Sequence, residues 1–243
     1  MLARLALAVF LLFGPPRASA ETPVAEARAL IARYHEDLTV VDRARVLLEA
    51  ALARENQVET MIMLSYVSFL WGDVRATTID EKLTAYARGR ELGKRAVELA
   101  PRNHDAHLWY AINTGRWGQT KGVLRSLFLL PTVREEIEIL LQLDPRSVRA
   151  HSLAGNVDME VPRLFGGDTE RAEAHFKKGL AIDPKFTVLR IDLARLYIAT
   201  GRTIEARREL QRVIDETAPT VVADWTAKDL PRARKLLETI QDR

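Results

Sequence analysis

Apolar residues recur three and four positions apart along almost the whole chain from Pro23 to Arg243, and no long segment shows the strict alternation of a half-buried strand. The pattern predicts an all-α protein. Four amphipathic stretches end alike, at Ala96-Val97-Glu98-Leu99-Ala100-Pro101, Leu140-Leu141-Gln142-Leu143-Asp144-Pro145, Leu180-Ala181-Ile182-Asp183-Pro184 and Val213-Ile214-Asp215-Glu216-Thr217-Ala218-Pro219. Each closes on a proline, which stops a helix because the residue before it is pushed out of the α region.

These prolines stand 44, 39 and 35 residues apart. The spacing shrinks toward the period of about 34 residues at which two helices make one tetratricopeptide unit. The last unit fits with little slack: Leu193, Ala194 and Tyr197 fall on its first helix, Gly201 at the turn, and Ala206, Leu210 and Val213 on its second. Small residues at 194 and 206 let the helices cross closely, and Gly201 permits a positive φ. The preceding unit has Gly155, Ala172, Phe176 and Gly179 in the packing positions, with an insertion at Val161–Asp168 whose Pro162, Gly166 and Gly167 predict a loop. Asp168 should cap the helix that follows.

One unit earlier, Ala106–Gly118 reads as a first helix followed by about ten extra residues. Another unit runs from Met61 through Gly72, with an insertion reaching Ile79, and closes at Pro101. Ala25–Asn56 reads as one more pair. Pro231, at the first position of a final helix bearing Ala233, Leu236, Leu237 and Ile240, opens a cap over the exposed end of the core. The expected architecture over 21–243 is a right-handed, tetratricopeptide-like α-solenoid of about five helix pairs plus a C-terminal capping helix.

The first twenty residues do not belong to this pattern. A basic start with Arg4, an apolar run from Leu5 to Phe13, the Gly14-Pro15-Pro16 break and the small residues Ala18 and Ala20 predict a signal peptide cleaved before Glu21. The alternative is a retained anchor, although the run is shorter than the roughly 20 residues that span a bilayer. Composition fits export. The chain holds 36 Lys plus Arg against 33 Asp plus Glu, and removing the leader takes away Arg4 and Arg17 and no acid, so the mature chain is nearly neutral. No run of like charge marks a nucleic-acid surface. With Cys 0 there are no disulfides, thiolate metal sites, cysteine nucleophiles or lipid-carrying N-terminal cysteine. No later segment is long and apolar enough to span a membrane. The expected location is the bacterial periplasm or outside, in soluble form.

Leu64-Ser65-Tyr66, Trp109-Tyr110-Ala111 followed by Gly115-Arg116, and Leu164-Phe165-Gly166-Gly167-Asp168 sit in this repeat frame behind a leader. In that combination the chain resembles the periplasmic T component of tetratricopeptide-associated TRAP transporters. It is also similar to the helical repeat region of regulator of microtubule dynamics proteins. The first resemblance implies a non-catalytic helper that associates with a periplasmic solute-binding subunit and holds a hydrophobic or carboxylate-bearing solute.

In such a solenoid the first helices line a concave face. That reading places Ile62, Tyr66 and Phe69 from one unit there, then Leu108, Ile112 and Arg116, then Asn156 and Met159, then Ile191, Arg195 and Ile198. One interpretation is a groove for a protein partner or an apolar chain, with Arg116 and Arg195 forking a carboxylate. The other is that the apolar residues pack against the insertions and the arginines pair with acids. Trp71, Trp109 and Trp117 are expected to fill gaps between units. His104, His107 and His151 could approach a metal only if they converge, and His104 is expected just outside its helix. No zinc-protease, phosphate-loop or serine-elbow motif is present, and Glu135, Glu136 and Glu138 read as a solvated face. The expectation is no enzyme, no cofactor and no metal.

Overall fold

The structure, a computed structural model, describes residues 22–241. The predicted leader and the expected cleavage residues Ala18 and Ala20 lie outside the described residues. Ten helices make five consecutive pairs: α1 (Pro23–Ala32) with α2 (Val40–Arg54), α3 (Val58–Val74) with α4 (Ile79–Leu99), α5 (His104–Lys121) with α6 (Val123–Leu143), α7 (Val148–Glu160) with α8 (Thr169–Ile182), and α9 (Thr187–Ala199) with α10 (Thr203–Ile214). The chain is an all-helical α-solenoid, with no strand among the described residues.

The helix ends follow local chemistry. Thr22, Asn103 and Ser147 each accept a backbone N–H from the residue three positions on, and Thr78 and Glu81 form a reciprocal capping box. Such a cap contributes about 1 kcal/mol by satisfying an N–H that has no partner within the helix. Asp168 caps α8 through Glu170 and Arg171, after a single 3₁₀ turn at Arg163–Phe165. Gly201 has φ +77°, the turn conformation its place in the repeat requires.

The insertions lengthen helices more than they add loops. α5 continues past Gly118 to Lys121, and α6 starts after one linking residue, Gly122, and runs for 21 residues. Nothing in 119–121 stops the first helix, whereas Gly122, at φ +111°, breaks it sharply. Pro131 lies inside α6, where it removes one helical hydrogen bond without ending the helix. His104 is the first residue of α5, inside it rather than before it. α10 ends at Ile214, five residues short of Pro219, and the Glu216 carboxylate accepts the N–H groups of Thr217 and Ala218 instead.

The C-terminal segment is more than a cap. α11 (Val222–Asp224), a π turn (Trp225–Asp229) and α12 (Leu230–Glu238) follow one another without a break. Pro231 therefore sits at the second position of α12 and does not open a separate helix. Its ring would crowd the carbonyl four residues back, and the wider π turn relieves that contact. Ala233 and Ile240 join the core of the last repeats, while Ala223 joins the core of the first ones. Residues 222–238 thus form a strap that connects the two ends of the solenoid.

Candidate functional site

Between the strap and the first helices of successive units lies a cavity of about 420 Å³. Phe69 and Asp73 reach it from α3, Ile112 and Arg116 from α5, Leu129 and Val133 from α6, Asn156 from α7, Arg195 from α9, and Asp224 and Lys228 from the strap. Five of the residues expected on the concave face, Phe69, Ile112, Arg116, Asn156 and Arg195, therefore meet around one chamber.

The others do not line it. Leu108 is 1% exposed and packs with Leu140 and Ala150 in the core. Tyr66 stacks on Trp109 with ring centroids 4.2 Å apart. Ile191 is fully buried, Met159 and Ile198 pack on the core of the last repeats, and Ile62 packs on that of the first. Trp71 and Trp109 likewise pack between units, Trp71 donating its indole N–H to Asp42.

Arg116 and Arg195 are not a free fork. Arg116 pairs with Asp73, which also accepts Lys228 at 3.2 Å. Lys228 further pairs with Asp224, and the Tyr34 hydroxyl donates to the same carboxylate at 2.7 Å. Burial opposes the charge on Asp73, but Arg116 and Lys228 outweigh it and hold the carboxyl below its usual range. Arg195 pairs with Glu160 at 3.2 Å and Asp192 at 3.3 Å. Burial raises the pKa of Asp192, against the pull of Asn156 and Arg195. Beneath the strap, Asp229 accepts the Thr187 hydroxyl at 2.7 Å, and burial pushes its pKa up to about 6.

Two cations of the chamber, Arg149 and Arg232, make no ion pair among the described residues, and the groove register included neither. Arg149, at the start of α7, lies 5.7 Å from the ring centre of Trp109 and 5.3 Å from that of Phe186, and makes no ion pair among the described residues. The chamber thus offers an apolar wall, a guanidinium flanked by two aromatic rings, and a rim of mutually compensated charges. An arginine so placed favours a carboxylate or phosphate oxygen attached to an apolar body.

The histidines serve another purpose. His107 Nε2 bonds the Pro101 carbonyl at 3.0 Å, His151 Nε2 the Pro145 carbonyl at 3.1 Å, and Arg190 the Pro184 carbonyl through Nε at 3.1 Å. In three successive units the side chain six residues after the proline closes the turn onto it. His107 Nδ1 faces Glu136 at 2.6 Å, His151 Nδ1 faces His175 Nδ1 at 3.0 Å, and His104 meets Ser147 and Asp105. The three histidines thus have separate partners, and among the described residues no group of three or more His, Asp or Glu could hold a metal.

Comparison with known proteins agrees with this architecture. The family described as Regulator of microtubule dynamics protein 1-3 matches residues 24–165, and a tetratricopeptide repeat matches residues 166–224. Regulator of microtubule dynamics protein 3 of Rattus norvegicus is 24% identical over 195 residues, covering 70% of this chain and 41% of that protein. Regulator of microtubule dynamics protein 2 of the same organism is 27% identical over 164 residues, covering 58% and 40%. The chain thus spans about two fifths of the length of these relatives. Among solved structures, a thermophilic tetratricopeptide protein of Thermus thermophilus superposes with a TM-score of 0.67 at 21% identity, covering 90% of this chain and all of that one. A tetratricopeptide repeat protein of Parabacteroides merdae gives 0.51 at 14% identity, covering 88% and 77%. The family match, which takes in more than half of the chain, and the repeat that continues it place this tetratricopeptide-fold protein in the regulator of microtubule dynamics protein 1-3 family.

Proposed function

We propose that the chain is an exported, non-catalytic scaffold that binds a protein partner. The repeat architecture supports this reading, since stacked helix pairs present an extended concave surface suited to binding. The strap sets a condition on it. A helix with its side chains is about 10 Å across, so a partner helix reaches the concave face only by displacing residues 222–238. A photo-crosslinking residue at Ile112 should capture one discrete protein in cells of the source organism, and more of it when Lys228→Ala loosens the strap. Crosslinks confined to the strap itself in both chains would contradict the proposal. Export is checked by sequencing the N-terminus of the protein recovered outside the cytoplasm, which should begin at Glu21; a cytoplasmic chain beginning at Met1 would rule it out.

One observation favours a second reading. The 420 Å³ chamber falls within the range of small-molecule sites, about 300–1,000 Å³, and holds Arg149, which makes no ion pair among the described residues. On this reading the protein carries an amphiphilic anion, as a T component of a TRAP-type transporter would hold its solute beside a solute-binding subunit. Native mass spectrometry of gently purified protein should then show a bound mass that Arg149→Glu and Ile112→Asp both remove while the chain keeps its helical circular dichroism, with a melting temperature lowered by the loss of the ligand. A chain that is empty as purified, or variants that keep the mass, would refute it.

A further inference from the structure

From Ala106 to Arg134 the chain contains no acidic residue, while Arg116, Lys121, Arg125 and Arg134 supply positive charge. Arg116 is neutralised by Asp73. Lys121 and Arg125 are not: each lies 5.8 Å from the ring centre of Trp117, Arg90 joins them at 5.6 Å, and none of the three makes an ion pair among the described residues. Beside this cationic cluster, the first turns of α6 present a bare apolar face. Val123 is 71% exposed, Leu124 86% and Phe128 74%. The Arg134 guanidinium donates to the Gly166 carbonyl at 2.7 Å and so holds the 3₁₀ turn with Leu164, 87% exposed, against the same helix. Arg134 lies about 9 Å along the axis from Phe128, at 1.5 Å per residue.

Large apolar side chains at this exposure, rimmed by unpaired cations and a half-buried indole, need a cover that is both apolar and negatively charged. We infer that the start of α6, with Lys121, Arg125, Arg90 and Trp117 at its rim, docks the protein onto the surface of an anionic lipid bilayer. Charge complementarity carries this choice. A neutral apolar partner would leave three cations unpaired at a desolvated edge, whereas the headgroup layer of an anionic leaflet neutralises them while Leu124 and Phe128 enter the acyl boundary. The helix lies on the membrane and does not cross it, since no described helix is long and apolar enough to span one. The opposite face of the same turns, Ser126, Leu129 and Leu130, walls the chamber, so docking leaves the cavity intact.

Flotation of the purified full chain with vesicles tests this, and comparing variants with the parent makes any contribution of residues 1–21 common to both. The parent should bind vesicles containing equal parts phosphatidylglycerol and phosphatidylcholine, and bind phosphatidylcholine alone at least tenfold more weakly. Each cation near an anionic leaflet changes partitioning about fivefold, so Lys121→Glu with Arg125→Glu should lower binding more than tenfold. Leu124→Asp with Phe128→Asp should do the same, while Ile204→Asp, at an exposed apolar position away from the patch, should not. All these positions are exposed or on the surface of α6, so melting curves should be unchanged. The inference is overturned if the parent ignores anionic vesicles, if binding is indifferent to lipid charge, or if the α6 variants bind like the parent. It is equally overturned if those variants only dissociate a dimer or abolish capture of a protein while vesicle binding persists.

Discussion

The side chains six residues after Pro101, Pro145 and Pro184 define the repeat as firmly as its apolar positions do. A proline that ends a helix leaves its own carbonyl and those just before it without helical partners, and His107, His151 and Arg190 each reach back to satisfy one. With His151 Nε2–H donating to Pro145, its Nδ1 must accept from His175. Burial lowers the pKa of both rings. Folding therefore favours the neutral pair, and stability falls as pH drops below the ordinary histidine value. Asp229 has the opposite slope. Its folded pKa of about 6 lies above its ordinary 3.8, so its contribution is fully present below pH 3.8 and is lost as pH rises through 6. Asp229→Asn keeps an acceptor for Thr187 and should raise stability at pH 7.5 by about 1–2 kcal/mol, a discounted value for a shift of this size. Chemical denaturation of parent and variant between pH 4 and 8 checks it, the difference curve isolating Asp229 from the histidines; parallel curves would contradict it. The proline–histidine spacing is visible in the sequence. The freedom of Arg149 is not, because it depends on which acids the fold leaves near Arg116 and Arg195.

At the scale of elements, the helix ends marked by Pro101, Pro145 and Pro184 are legible in the sequence, and so is the cap at Asp168. The lengthened helices are not, since an insertion of about ten residues with helical spacing reads equally well as loop or as extra turns. Gly122 decides between them. Its φ of +111° and ψ of 172° lie in a region that is essentially glycine-only, yet no atom stands within 4 Å of a Cβ built there. Gly115, inside α5, also has open space around its Cβ but an ordinary helical backbone. Gly122→Ala should therefore cost about 2 kcal/mol through backbone strain alone, and Gly115→Ala should stabilise by about 0.5–1 kcal/mol. Thermal melts of the two variants give opposite signs on this account, and equal signs would contradict the assignment of the one-residue link between α5 and α6.

For the whole molecule, the periodic repeat predicts a solenoid with a cap, and the structure is one whose ends are joined. Ala233, Leu236 and Leu237 carry a cap-like pattern, which is why the tail reads as one. Its second contact is encoded in Ala223 and in the polar residues Asp224, Lys228 and Asp229, whose partners Tyr34, Asp73 and Thr187 lie up to 190 positions away in sequence. No local pattern announces such pairings. The closure turns an open groove into a chamber, sets the size of what can enter it, and requires a protein partner either to displace the strap or to bind elsewhere. Hydrogen exchange of the full chain measured residue by residue tests this directly. Backbone amides of the π turn and α12 should exchange as slowly as those of α5, because the strap opens only with the core it joins. If residues 225–238 exchange like a frayed tail while α5 stays protected, the solenoid is open and the chamber does not exist as described.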